Sequence, residues 1–151
     1  MNLRNYTSTV PVERSLAAIE KLLVEAGATH IARTYTGGNI TGFIFAIEVS
    51  RKPISFKLPA NPAAVKTMLT KKVSRPRSRT LERLDEQSQR TAWKLLHDWV
   101  HVQISLIQMG QADAVQVFLP YAYNTLSRCT LYEKFKEGGF KALTTGEMPS
   151  G

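Results

Sequence analysis

Apolar residues recur at steps of three and four from Leu81 to Met109, at Leu81, Leu84, Ala92, Leu95, Trp99, Val102, Leu106 and Met109, with Ser88 in the same row. That spacing is one face of a helix with 3.6 residues per turn, so a single long helix is expected over Leu81 to Met109, with Gly110 as its stop. From Trp93 a second apolar row begins, made of Trp93, Leu96, Val100, Ile104 and Ile107. The C-terminal half of the helix must therefore be covered on two sides, which makes it the central element and a candidate subunit contact. An earlier row, Val12, Leu16, Ile19, Leu23 and Ala26, predicts a first amphipathic helix. Pro11 suits its first turn, Glu13 complements its dipole and Gly27 ends it in a left-handed cap.

Between the two helices the period changes from 3.6 to 2. His30 to Thr36 places Ile31, Arg33 and Tyr35 on one side, and Gly37-Gly38-Asn39 is a hairpin signal because positive φ costs glycine little. Ile40 to Val49 is apolar on both faces, as a central strand is. A turn at Ser50-Arg51-Lys52-Pro53 leads to Ile54, Phe56 and Leu58 alternating with Ser55 and Lys57. These three runs predict an antiparallel meander, closed by Pro59 and Pro62. Asn61 to Leu69 permits a short helical turn. Thr70 to Arg79 repeats no apolar position and contains Pro76, so a loop is expected there. Beyond Gly110, Ala114 to Leu119 fits either a short strand or a helical turn. Thr130 and Glu133 have the spacing of a capping box, opening a short helix through Lys136 with Gly138-Gly139 beyond it. The expected class is α+β: helix, three-stranded antiparallel meander, long central helix, short C-terminal helix. Residues 1–143 form one domain with a basic loop over 66–83, and 144–151 form a flexible tail.

Charge changes this picture from a fold to a binding hypothesis. The chain of 151 residues carries a net charge of +8, which favours polyanions as partners. The excess is concentrated: Lys66, Lys71, Lys72, Arg75, Arg77, Arg79 and Arg83 stand against the single acid Glu82. A flexible, proline-punctuated basic segment can follow a phosphate backbone, and Arg33, Tyr35 and Lys57 on the strands would extend the surface and position the nucleic-acid strand. One cysteine, Cys129, excludes an intramolecular disulfide. The first ten residues lack an apolar core and no stretch has the length to span a bilayer, so a cytoplasmic protein without a membrane partner is expected.

Catalytic chemistry finds little support. His97 and His101 are four apart, as in zinc-binding helices, but no glutamate follows the first histidine, and Asp98 is expected a quarter-turn away from it. No metal or cofactor is expected. Cys129 has no His or Asn close in sequence to activate it. Glu82, Asp85 and Glu86 read as partners for Arg79, Arg83 or Arg90 and for the helix dipole rather than as a magnesium site.

The strings Tyr6-Thr7-Ser8-Thr9-Val10-Pro11-Val12-Glu13, Trp93 to Trp99, Phe118 to Tyr121 and Leu131 to Glu133 resemble a group of small phage and mobile-element proteins of unassigned activity. That resemblance implies genome maintenance or interference with host defence, and it transfers no site residues. The order helix, three strands, helix also resembles the double-stranded-RNA-binding domain, and a meander backed by a long helix resembles the Rad-type annealing proteins. The basic cluster that enters the last helix of the RNA-binding family is displaced here, since Lys71-Lys72 lies too far upstream. The expected function is non-catalytic binding of a nucleic-acid backbone, DNA ahead of RNA, with weak sequence specificity. The alternative is a small interaction module that uses the basic loop and an apolar helix face to bind an acidic protein.

Overall fold

A computed structural model describes residues 4–75 and 77–144. Helix α1 (Val12–Glu25) is followed by strands β1 (Ala28–Thr36), β2 (Asn39–Val49) and β3 (Lys52–Lys57), then by helices α2 (Pro62–Thr70) and α3 (Ser78–Gln108). The C-terminal part holds α4 (Ala114–Phe118), a 3-10 turn over Leu119–Tyr121, the two-residue strands β4 (Tyr123–Asn124) and β5 (Cys129–Thr130), and helices α5 (Leu131–Glu137) and α6 (Lys141–Thr144). The architecture is the expected α+β one. Residues 145–151, most of the predicted tail, lie outside the described residues, and Thr144 closes α6.

The meander has the order β1-β2-β3 with antiparallel pairing throughout. Both hairpins use two-residue turns whose central residues take positive φ, which matches the right-handed strand twist. In the first these are Gly37 and Gly38; in the second they are Ser50 and Arg51, at φ 51° and 66°. The strand β3 therefore begins at Lys52, before the turn predicted from Pro53 has ended. Two bulges, at Thr29 on β1 and Thr41 on β2, shift the register. The second brings Ile40 onto the core side with Phe43.

The core lies between one face of the sheet and the helices α1 and α3. Leu16, Ile19 and Leu23 of α1 are fully buried, as the first apolar row requires. Phe45 stacks on Phe56 at 5.3 Å, Phe118 meets Phe45 edge-on at 5.2 Å, and Phe43 leans on Trp93. On α3 the second apolar row is buried at Trp93, Leu96, Val100 and Ile104 and half-buried at Ile107. The first row divides. Ser88 and Ala92 are buried, whereas Leu95, Val102 and Met109 are exposed. Both rows satisfy helical periodicity, and the sheet packs on the one that holds no small residue.

Capping accounts for the C-terminal elements. Asp113 accepts from the Gln116 backbone N–H at 2.8 Å, and the Gln116 side chain accepts from the Asp113 N–H, so Ala114–Phe118 is a helix and not a strand. Thr130 accepts from the Glu133 N–H and donates to the Glu133 carboxylate, which starts α5 at the expected place. The β4–β5 hairpin is too short to show in the sequence pattern; Asn124 Oδ1 holds its loop by accepting from the Leu126 and Ser127 N–H groups.

Candidate nucleic-acid interface

The basic stretch is not one loop. Asn61 caps α2 by accepting from the Ala64 N–H at 3.1 Å, and Pro62 at the helix start needs no donor, so Lys66 stands on a helix. Its ammonium lies 3.5 Å from Asp85 on α3. The long helix begins at Ser78, earlier than the apolar row indicates, and takes in Arg79 and Arg83. The irregular connection is thus confined to residues 71–77, within which Pro76 lies outside the described residues. Apolar periodicity cannot locate a helix start made of Ser, Arg and Thr; only the backbone hydrogen bond from the Leu81 N–H to the Arg77 carbonyl reveals it.

The start of α3 is electrostatically unusual. Its cap residue, Arg77, makes no side-chain hydrogen bond to the first turn, and that turn holds no acid. The free N–H groups and the positive end of the helix dipole face arginines instead of a carboxylate, an arrangement that raises the local potential. Lys71, Arg75, Arg77, Arg79 and Arg83 are all exposed, and among the described residues none has its charged group within 4.0 Å of a carboxylate. Glu82, Asp85 and Glu86 do not take the predicted partners; Asp85 pairs with Lys66. Lys72 differs from its neighbours, with its ammonium 4.9 Å from the centroid of the Tyr6 ring.

Tyr6 belongs to the irregular segment that leads into α1. Residues 4–10 lie along α3: the Thr91 hydroxyl donates to the Asn5 carbonyl, the Gln87 amide to the Tyr6 and Ser8 carbonyls, and Arg90 Nε to Ser8. Asp98 fastens the end of the segment, accepting from Arg4 Nε at 3.0 Å and Asn5 Nδ2 at 2.9 Å. Lys94 Nζ donates to the same carboxylate at 2.8 Å, and His97 Nδ1 lies 3.0 Å from it. Asp98 therefore reaches its neighbour His97 rather than pointing away. Burial pushes the Asp98 carboxyl up, but the hydrogen bonds from Lys94, Asn5, His97 and Arg4 outweigh it and hold the group well below the usual carboxylate range.

The strand residues do not join one surface. Arg33 pairs across the sheet with Phe43 on the helix-covered face, whereas Lys57 pairs with Ile44 and points the other way. Arg33 is also engaged: it donates to Glu13 and to Glu20 of α1, each at 2.9 Å, and its guanidinium sits 5.9 Å from the centroid of the Phe43 ring. The Glu13 hydrogen bond, reinforced by Glu20, raises its pKa further against the cost of burial, so it stays charged at every accessible pH. Arg33 is a structural tie between sheet and α1. Lys57 lies over the Tyr123 ring at 5.7 Å, and Tyr35 remains exposed on the edge strand β1. The predicted platform of Arg33, Tyr35 and Lys57 is corrected accordingly, because neighbouring positions on β2 point to opposite faces.

The rings of His97 and His101 are 6.1 Å apart, and among the described residues no cluster of three His, Cys, Asp or Glu side chains could hold a metal. Cys129 is half-buried with its sulfur 3.2 Å from the Ser127 hydroxyl. No helix among the described residues is long and apolar enough to cross a membrane. No protein-family model, curated protein or solved structure matches the chain. The resemblances noted above rest on short strings and element order, and the observed order interposes α2 between the third strand and the long helix.

Proposed function

We propose that the chain binds the phosphate backbone of a nucleic acid, DNA ahead of RNA, and carries out no chemistry on it. The reading rests on one observation: five exposed cations, Lys71, Arg75, Arg77, Arg79 and Arg83, unpaired among the described residues, are crowded around a helix start that has no side-chain cap and no acid in its first turn. Crowding cations at the positive end of a dipole costs stability, and a row of phosphates relieves both the mutual repulsion and the uncapped amides. The contact is to backbone and not to bases, so weak sequence preference follows. A role in phage or mobile-element DNA metabolism is the setting that the sequence resemblance favours.

Titration of single- and double-stranded oligonucleotides across salt concentrations tests this. Five neutralised phosphates correspond to a log–log salt slope of about −4.5 on duplex, and Arg75→Ala with Arg77→Ala reduces its magnitude by about 2. Arg33→Ala serves as the contrast: it lowers folding stability by about 1 kcal/mol and leaves the slope unchanged. Salt-insensitive binding, or none at about 50 mM salt, overturns the proposal. The exposed apolar residues of α3 favour a second reading, a protein-interaction module, and a partner recovered from nuclease-treated extract is the result that would support it.

A further inference from the structure

The first apolar row of α3 is covered only in part. Along its N-terminal half lies α2: Lys66 reaches Asp85, and Val65 lines a groove together with Ala92 and Leu95. Beyond the start of α2 the row continues through Leu95, Trp99, Val102, Leu106 and Met109; Trp99 packs edge-on against Phe118 and Tyr121 and Leu106 is half-buried, while Leu95 is 42%, Val102 58% and Met109 75% exposed. The three exposed positions recur every seven residues. That is the heptad spacing of two helices packed with nearly aligned axes, so the missing cover is a helix.

Two features say which helix. The stretch from Trp99 to Ala112 contains no Asp, Glu, Lys or Arg in a chain of net charge +8, so it is the part of α3 that an equally charged copy can approach without repulsion. The row is also self-complementary about Val102. Seven positions before it, Leu95 opens onto an apolar groove of about 480 Å³ walled by Pro59, Ala60, Val65, Trp99 and Tyr121. Seven positions after it stands Met109, a long flexible side chain with nothing over it. Reversing the helix about Val102 sets each Met109 against the groove at the other copy's Leu95. An antiparallel arrangement also keeps the two basic helix starts far apart, whereas a parallel one would bring them together.

We infer that the chain forms an antiparallel homodimer through the exposed row of α3, with Val102 on the twofold axis and Met109 of each copy seated in the groove beside Leu95 of the other. The contact is isologous, so one substitution acts twice. Sedimentation equilibrium on the full chain, freed of nucleic acid, tests it. The wild type shows twice the 16.9 kDa chain mass. Val102→Glu and Val102→Lys each run as monomers with unchanged circular dichroism, because Val102 is exposed within the protomer and folding does not need it. An equimolar mixture of the two variants recovers the doubled mass, since opposite charges then meet at the axis. Met109→Glu weakens association without touching Val102. A wild type that stays monomeric, a Val102→Glu protein that keeps the doubled mass, or a mixture that stays monomeric overturns the inference.

Discussion

Asp98 gathers hydrogen bonds from Arg4, Asn5 and Lys94 and a contact with His97, and it thereby ties residues 4–10 to the middle of α3. Because its folded pKa is depressed, this tie contributes stability that is fully present above the ordinary carboxylate value and is lost as pH falls below it. Asp98→Asn is expected to cost about 1–2 kcal/mol at neutral pH. The gap between wild type and variant should narrow steadily below about pH 4, where the unfolded carboxyl begins to take up protons. Urea unfolding of both proteins at several pH values reads this directly, and a gap constant from neutral pH down to about 3 would contradict it. The tie was invisible in the sequence because Arg4 and Asn5 lie more than ninety positions from Asp98. Arg33 was different: it shares strand parity with the partly buried Ile31, while Lys57 has the opposite parity to the buried Phe56. Their separation onto two faces was legible, and the attraction of their charge hid it.

Among the elements, α1, the meander and the body of α3 follow from period alone, since each has a single structural solution that buries its apolar positions. The choice between the two rows of α3 does not, because period identifies a helix face without saying what covers it. The first turn of α3 also escapes periodicity and rests on backbone bonds in a stretch of Ser, Arg and Thr, whereas α2 agrees with the short helical turn expected over Asn61 to Leu69 and is opened by the Asn61 cap. The turn between β2 and β3 shows the opposite case, in which local residues disagree with the geometry they adopt. Ser50 and Arg51 both occupy the left-handed region, a conformation that asparagine and glycine adopt with less strain. Replacing the pair by Ser50→Asn with Arg51→Gly should therefore stabilise the hairpin by roughly 1 kcal/mol. Thermal unfolding checks the sign, and a lower midpoint would show that the turn is not a two-residue one with both central residues in the left-handed region.

At the scale of the molecule, α3 is polar along its length: cations crowd its N-terminal end and no charged residue but Asp98 falls between Leu95 and Ala112. One end is suited to phosphate and the other to a second copy, and the two roles make a joint prediction that neither makes alone. Arg79 stands twenty-three positions before Val102, about 35 Å along the helix, so an antiparallel dimer separates its two basic ends by roughly 70 Å. At about 3.4 Å per step, that distance is spanned by roughly 20 base pairs. A duplex of about 40 base pairs can engage both ends of one dimer, while one of about 10 can engage only one. Val102→Glu should therefore leave affinity for the short duplex unchanged, weaken binding to the long one by at least about tenfold, and halve the salt slope measured on it. Equal losses on both lengths would mean that Val102 acts on the basic end itself rather than through a second copy. Failure of the wild type to bind either duplex would remove the nucleic-acid reading while leaving the dimer intact, since the mass measurement needs no ligand.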